Sequence, residues 1–396
     1  MVASTAGVGR ALDADRYLDF VHTGPGTLAG RYLRHFWQPV YVAADLPAGY
    51  AKPLRIMSED FTLYRGADGA AHLVAPRCAH RGTQLSTGWV EDDCIRCFYH
   101  GWKYDQTGQC VEMPAEDPSF PPKVRIASYP TEEYLGLIFA YLGDAERGDT
   151  GAVSLPPLPR YPDFETDGVL SASSYVRPCN YFQNLENGLD NVHVLFVHRD
   201  APGGERYVEQ GMPRIVAEES PWGVTERVVR PRGAGQHIQG GMPNVLFIPG
   251  QAIGNRAVPV DFLAWRVPLD DEQHLTFNVN IARVTGEAAD EYRARRRAPA
   301  AADAVVAAEL GHAVLRGEQR VHDMVDRPLL VNVQDTVAQL GQGVIADRDH
   351  ERLGRSDAAV ILLRKLWARE LRALDAGQPL KEWTRVPPAP VAARPA

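Results

Sequence analysis

The chain of 396 residues has a formal net charge of −8, with 45% hydrophobic and 23% charged residues, which is ordinary for a globular protein of two or three domains. This acidic balance argues against nucleic acid as a partner. No apolar run is long enough to span a bilayer, and the sequence opens without a charged-then-apolar signal pattern, so we expect a cytoplasmic protein with no membrane contact.

Residues 1–40 are predicted to form an N-terminal helical segment that packs on a later domain of the chain. Between residues 13 and 40, aromatic and aliphatic side chains recur at helical spacing on either side of Gly24, Pro25 and Gly26. These glycines are not a dinucleotide-binding fingerprint, because no strand precedes them and their spacing is wrong.

Residues 41–145 are predicted to form a small antiparallel β domain. The clearest strand-like runs are residues 61–64, 71–74, 126–129 and 137–141. Gly66 to Gly69 has the composition of a hairpin turn, and a second tight hairpin is expected at residues 104–108.

Two Cys–His pairs lie in glycine-containing loops of this domain. Cys78 and His80 form a C-x-H motif, and Cys97 and His100 form a C-x-x-H motif. Thiolates suit ferric iron, while neutral imidazoles on a second iron raise its potential relative to an all-cysteine cluster. This is the ligand set of a Rieske [2Fe–2S] centre. Such a centre moves one electron at a time, so a second site must use the electrons.

The same residues also fit two other kinds of site. Cys94 and Cys97 form a C-x-x-C motif, so with His100 and either Cys78 or His80 they could hold a tetrahedral zinc ion. A redox dithiol is a further alternative, although the strand-then-helix setting of that motif is missing. On the Rieske interpretation three of the five cysteines are left over, an odd remainder that is typical of a reducing compartment.

Residues 146–168 are rich in Gly, Pro and Asp and are predicted to be a linker. Residues 169–386 are predicted to form a second domain with an antiparallel sheet and bracketing helices. The strand-like segments are residues 224–229, 244–248, 262–267 and 275–282, and the helical segments are residues 180–198, 286–326 and 357–376. Strands and helices in separate blocks indicate an α+β fold. Residues 387–396, rich in Pro and Ala, are predicted to be a flexible tail.

A second constellation lies in residues 180–198, which contain Glu186, Asp190, His193 and His198. Asp190 and His193 are three residues apart and so share a helix face. His198 can reach the same centre only if the helix ends or bends just before it. Two histidines and one carboxylate form the non-haem Fe(II) triad, which leaves positions open for O₂. The alternative is that these histidines are ordinary surface or core residues.

Together the two motifs resemble those of Rieske non-haem iron aromatic-ring-hydroxylating oxygenases, in the alpha subunits of the phthalate-dioxygenase-like branch. The resemblance lies in the C-x-H and C-x-x-H motifs with the following HGWKYD run, in D-x-x-H-x-x-x-x-H at residues 190–198, and in residues 332–357. It implies a catalytic domain of helix-grip or START-like fold, and a mononuclear iron bound by His193, His198 and Asp335. Asp323 and Asp326 are the alternatives for the third ligand.

The resemblance also implies that Asp190 joins His193 to His100 of the partner subunit. A carboxylate between two imidazole N–H groups fixes both tautomers and gives a short path for electrons. Such a contact implies a head-to-tail ring, and the family favours a homotrimer. Electrons come ultimately from NAD(P)H through a ferredoxin or a flavin reductase, since no nucleotide fingerprint is present in this chain.

Residues 24–40 and 180–190 are similar to those of the dehydrodivanillate O-demethylase oxygenases of lignin-biphenyl breakdown. The reaction implied is O-demethylation of a methoxylated aromatic acid, for which Arg266, Arg256 and His237 are candidate carboxylate partners. Ring hydroxylation or cis-dihydroxylation of an aromatic carboxylate such as a phthalate is the alternative. Two alternatives of another class are an electron-transfer Rieske protein without oxygenase activity and a zinc-stabilised binding module.

Overall fold

The computed structural model describes residues 18–143, 155–233, 235–251, 258–295, 301–324 and 329–385. The predicted tail, residues 146–154 of the predicted linker and residues 1–17 of the N-terminal segment therefore lie outside the described residues. Within the described ranges, no helix is long and apolar enough to cross a membrane.

The first half of the chain forms three small antiparallel sheets from eleven strands, in the orders β1-β11-β10, β2-β3-β4-β9 and β5-β6-β7-β8. The strands are β1 (Trp37–Val42), β2 (Ala51–Ile56), β3 (Glu59–Arg65), β4 (Ala71–Val74), β5 (Trp89–Glu91), β6 (Cys94–Arg96), β7 (Lys103–Tyr104), β8 (Cys110–Glu112), β9 (Ser128–Tyr129), β10 (Thr131–Tyr134) and β11 (Leu137–Tyr141). Both predicted hairpins are confirmed. The second one turns at Gly108, which has a φ of 82° and where a Cβ atom would lie 2.1 Å from the Ile126 carbonyl oxygen.

The predicted N-terminal helix is correct only in part. Helix α1 (Leu28–Arg34) begins after Thr27, whose side chain accepts a hydrogen bond from the Gly30 N–H group. The expectation of helix is wrong from Trp37 to Val40, because these residues belong to β1 and pair with β11. Pro39 cannot donate a helical hydrogen bond, and apolar residues of β11 offer a buried partner strand.

The second half is built on one seven-stranded antiparallel sheet in the order β12-β18-β17-β16-β15-β14-β13. Its strands are β12 (Val169–Arg177), β13 (Arg214–Glu219), β14 (Gly223–Val229), β15 (Gln236–Gly241), β16 (Val245–Gln251), β17 (Val260–Pro268) and β18 (His274–Ala282). The helices are α2 (Tyr181–Gly188), α3 (His193–Val197), α4 (Glu205–Gln210), α5 (Gly286–Arg295), α6 (Ala301–Leu315), α7 (Leu330–Leu340) and α8 (Ala358–Asp375). Strands and helices stand in separate blocks, so the predicted α+β fold is confirmed.

Helix α8 packs against this sheet through a face of residues spaced three and four apart, which includes Leu363, Trp367 and Leu371. The fully buried Trp367 ring contacts Phe20 and Tyr32, so the N-terminal segment packs on the same core as α8. A separate core lies beneath the loops that follow β4 and β6. The predicted domain boundaries stay predictions.

Glu186 on α2 forms a structural contact. Its two carboxylate oxygens accept hydrogen bonds from Arg348 at 2.8 Å and from Arg364 at 2.5 Å, and Arg364 also contacts Glu351. Glu186 is buried, and both arginines are largely shielded from solvent. This group therefore ties α2 to α8 and to the loop that precedes α8.

We expect the substitution Glu186→Ala to lower the free energy of unfolding by about 3 kcal/mol or more, because it leaves charged arginines without their buried acceptor. Urea denaturation would measure the loss. Glu218→Ala, at an exposed position on β13, is the control and should stay within about 0.5 kcal/mol of the unchanged protein. Equal stability of the two variants would contradict this role for Glu186.

Candidate metal centres and substrate cavity

The two loops that carry the Cys–His pairs are built as the same turn. In the first, the Cys78 N–H group donates to the Thr83 carbonyl, and the Cys78 carbonyl accepts from the Gly82 N–H group. In the second, Cys97 makes the equivalent bonds with Trp102 and Gly101. Gly82 and Gly101 have φ values of 73° and 74°, a left-handed conformation that glycine adopts without strain. The paired turns bring the four predicted cluster ligands close together.

The four side chains are arranged in two layers. Cys78 and Cys97 are buried at 3% and 2% exposure, whereas the rings of His80 and His100 lie outside them with centroids 4.4 Å apart. Trp102 stacks on the His80 ring. The Tyr104 hydroxyl accepts from the Ala79 N–H group and lies 3.2 Å from Cys78 Sγ, to which it can donate. Thiols within and imidazoles outside fit a two-iron cluster with unlike ligands on its two irons.

A zinc site would need the same residues to converge on one ion. In the described part of the chain, one group of three or more His, Cys, Asp or Glu residues has all its donor atoms within 4.8 Å, and it contains none of Cys78, Cys94, Cys97, His80 or His100. Cys94 is the first residue of β6 rather than part of the loop. The geometry therefore argues against the zinc alternative.

That one group consists of His193, His198 and Asp335. The predicted break in the helix is present, because α2 ends at Gly188, α3 begins at His193, and His198 follows the last residue of α3. His198 Nε2 lies 3.3 Å from Asp335 Oδ1 on α7, and the two histidine rings have centroids 5.3 Å apart. The exposed Asp323 is not in the group, and Asp326 lies outside the described residues.

Both imidazoles are oriented through their Nδ1 atoms. His193 Nδ1 hydrogen-bonds to the Asp190 backbone carbonyl, and His198 Nδ1 to the Gln334 side-chain oxygen at 3.0 Å. The Nε2 atom of each ring is then the one left to coordinate a metal ion. Gln334 is a residue of this group's surroundings that the sequence reasoning missed, although its position beside Asp335 was a signal for it.

Asp335 is an ionised carboxylate. Burial alone would raise its pKa, but the hydrogen bond and charge of His198 lower it below the ordinary range. Asn187 donates a further hydrogen bond of 3.4 Å to Asp335 Oδ1. Two imidazole nitrogens and one carboxylate oxygen on three sides of a centre are a donor set that fits Fe(II) with open positions.

Asp190 lies just before the short helix α3 and bonds to backbone groups at its start. Its Oδ1 atom accepts hydrogen bonds from the N–H groups of Val192 and His193, and its Oδ2 atom lies 4.0 Å from His193 Nδ1. A third of the Asp190 side chain is exposed. The predicted bridge from Asp190 to the partner subunit stays a prediction.

A cavity of about 340 Å³ adjoins the His193–His198–Asp335 group and is walled on another side by the seven-stranded sheet. One part of the sheet wall is apolar and is formed by Ile238, Leu246, Ile248 and Phe262. The other part is polar and includes Tyr175, Arg177, Arg266 and Asn278.

The three candidate carboxylate partners differ in their relation to this cavity. Arg266 lines it, whereas His237 is exposed and does not. His237 lies between two residues of β15 that do line the cavity, and alternate side chains of a strand face opposite sides. Arg256 lies outside the described residues.

The chain is similar to known proteins over nearly its whole length. The family model of the Rieske [2Fe–2S] domain matches residues 36–130. The chain is 29% identical to the 5,5'-dehydrodivanillate O-demethylase oxygenase subunit of Sphingobium sp., over 95% of this chain and 84% of that one. It is 31% identical to the tert-butanol monooxygenase / tert-amyl alcohol desaturase oxygenase subunit of Aquincola tertiaricarbonis, over 94% and 78% of the two chains.

Solved structures show the same fold. The oxygenase of carbazole 1,9a-dioxygenase, solved in a reduced complex with ferredoxin, matches 96% of this chain and 99% of its own with a TM-score of 0.63 and 20% sequence identity. The fold thus extends across both halves of the chain. Since the likeness in sequence also extends across both halves, the chain belongs to the Rieske non-haem iron oxygenases and is the terminal oxygenase component of such a system.

Proposed function

We propose that this oxygenase O-demethylates a methoxylated aromatic acid derived from lignin. The observation that carries the proposal is the cavity, whose sheet wall has a cationic part and an apolar part beside the His193–His198–Asp335 group. An aromatic acid needs both parts, one for its carboxylate and one for its ring. The O-demethylase of Sphingobium sp., which is similar over nearly the whole chain, supports the choice of reaction.

We further propose that Cys78, His80, Cys97 and His100 hold the Rieske cluster and that His193, His198 and Asp335 hold the mononuclear iron. When bound, the two metal centres supply electron transfer and activation of O₂. The protein side chains orient the donor atoms. Apolar residues of the sheet, among them Leu246 and Phe262, exclude water from the space beside the triad and hold the ring of the substrate.

Exposed side chains at the two centres support an assembly of several copies. Phe98 and Tyr99, next to His100, are 60% and 56% exposed, and Phe196 of α3 is 52% exposed. Apolar surface of this kind is typical of an interaction site. We propose a head-to-tail homotrimer in which the Asp190 carboxylate accepts from His193 and from the partner subunit's His100. A ferredoxin or a flavin reductase supplies the electrons, as the carbazole oxygenase complex with ferredoxin suggests.

The test of the reaction is a turnover assay with a compatible reductase, NADH and O₂ on methoxylated and unmethoxylated aromatic acids. We expect formaldehyde to form in step with NADH consumption. Dihydrodiol without formaldehyde would replace the proposal with ring dihydroxylation of an aromatic carboxylate. NADH consumption without any product would leave the electron-transfer alternative.

We expect His193→Ala and Asp335→Ala each to lose the mononuclear iron and turnover while keeping the visible absorption of the cluster, because the two sets of ligands lie on different elements. Metal analysis should fall from about three irons per chain to about two. Asp323→Ala is the matched control for the competing carboxylate and should keep all the iron. Loss of the mononuclear iron in that variant instead would move the third ligand to Asp323.

For Asp190→Asn we expect unchanged iron content and a turnover rate roughly ten- to hundred-fold lower, as for other partners of metal-bound imidazoles. The amide oxygen can still accept from the Val192 and His193 N–H groups, so the fold should persist. Single-turnover mixing with O₂ and substrate would show slow reoxidation of the cluster. Asp349→Asn, in an exposed loop, is the control. Reoxidation at the unchanged rate would refute the bridge.

A further inference from the structure

The polar wall of the cavity is made by three neighbouring strands in register. Thr276 of β18 pairs with Tyr175 of β12 on one side and with Arg266 of β17 on the other. Side chains at paired positions share one face of a sheet, so these three form a row across it. Arg177 lies two residues further along β12 and therefore faces the same side. The row and Arg177 place two guanidinium groups on one wall.

The two arginines have different surroundings. Arg177 donates hydrogen bonds to Thr336 Oγ1 at 3.3 Å and to the Tyr175 hydroxyl at 3.2 Å. Arg266 is only 5% exposed, and neither its Nε nor its Nη1 atom has a hydrogen-bond partner among the residues that the structure describes. Burial of a charged group without a partner is costly. An arginine of this kind on a cavity wall is explained if a bound ligand accepts hydrogen bonds from its guanidinium group.

The charge of the cavity indicates the sign of that ligand. Burial lowers the pKa of Arg266 to about 10, which leaves the side chain protonated at neutral pH. Asp335 is the nearby anion that acts on both arginines, and in the proposed function its charge serves the metal. Burial would raise the pKa of the Tyr175 phenol, but Arg177 and Arg266 lower it below the ordinary value, as expected in a cationic field. The wall therefore favours an anion.

We propose that Arg266 binds the carboxylate of the substrate and thereby orients it in the cavity. The planar guanidinium fork matches a carboxylate in a bidentate geometry. With the carboxylate at Arg266, the ring lies along Leu246, Ile248 and Phe262, in the cavity that adjoins the His193–His198–Asp335 group. This assignment depends on the proposed function only in taking an aromatic acid as the substrate.

The test measures binding rather than turnover. The anaerobic, iron-loaded protein is titrated calorimetrically with 2-, 3- and 4-methoxybenzoate and with the three corresponding methoxybenzamides, which have similar shape and no charge. We expect the unchanged protein to prefer an acid over its amide. Arg266→Gln should weaken binding of that acid roughly 10- to 100-fold, the range for a hydrogen-bonded charged group, and leave the amide unaffected. Arg266→Lys, which keeps the charge without the fork, should give an intermediate preference.

The matched control is Arg227→Gln, an exposed arginine on β14 that does not line the cavity and should leave both affinities unchanged. The cluster absorption and the melting temperature of each variant verify that it is folded. Equal binding of acid and amide by the unchanged protein, or the same preference in folded Arg266→Gln, would overturn the assignment.

The proposed reaction can fail independently of this assignment. If the acid preference disappears in Arg266→Gln while the unchanged protein yields dihydrodiol, the carboxylate site stands and O-demethylation does not. If formaldehyde forms while Arg266→Gln keeps the acid preference, the reaction stands and Arg266 is not the carboxylate partner.

Discussion

The contact between α3 and α7 is the constraint on which the catalytic half depends. His198 is 136 residues away from Gln334 in sequence, yet its Nδ1 atom bonds to Gln334 and its Nε2 atom faces Asp335. Gln334 and Asp335, which are adjacent on α7, thus contact the two nitrogen atoms of the His198 ring. Helix α7 must therefore be correctly placed, and hydrogen bonds from Gln183 to the Gln339 and Gly343 carbonyls contribute to this by tying α2 to the end of α7. A shift of α7 would disturb the carboxylate and the imidazole together.

The cluster loops meet a different constraint, since their ligands are close in sequence and each loop needs only a local turn. The same pair of backbone hydrogen bonds and a left-handed glycine shape both loops. The thiols face the core of the domain and the imidazoles face outward. Electrons leaving a cluster held by these residues by way of the imidazoles would have little protein to cross before the surface. This arrangement, with the thiols inside and the imidazoles outside, is consistent with a cluster that exchanges electrons with another chain.

Local spacing in the sequence was sufficient for much of the fold and for the candidate site. The strand-like runs in the sequence predicted eight of the 18 strands in the described residues, and the Cys–His spacing predicted the cluster loops, because these features depend on near neighbours. Asp335 could be distinguished from Asp323 only by resemblance, since a long-range contact leaves no periodic signal. The strand at Trp37 was missed because its helical spacing was misleading and its partner, β11, lies about a hundred residues later. The same limit applies to Arg266, whose Nε and Nη1 atoms have no hydrogen-bond partner among the described residues. Its surroundings depend on the register of three strands, which spacing within one strand does not reveal.

The proposed metal donors and most of the cavity wall belong to different elements. The donors lie on or next to α3 and α7, whereas the apolar and cationic walls come from strands β12 and β15 to β18. Substitutions in the strands can therefore reshape the cavity without moving a donor atom. In evolutionary terms, a duplicated gene can drift toward a new substrate while its oxygen chemistry is preserved. A mutagenesis library for altered specificity is accordingly best confined to the inward-facing positions of these strands.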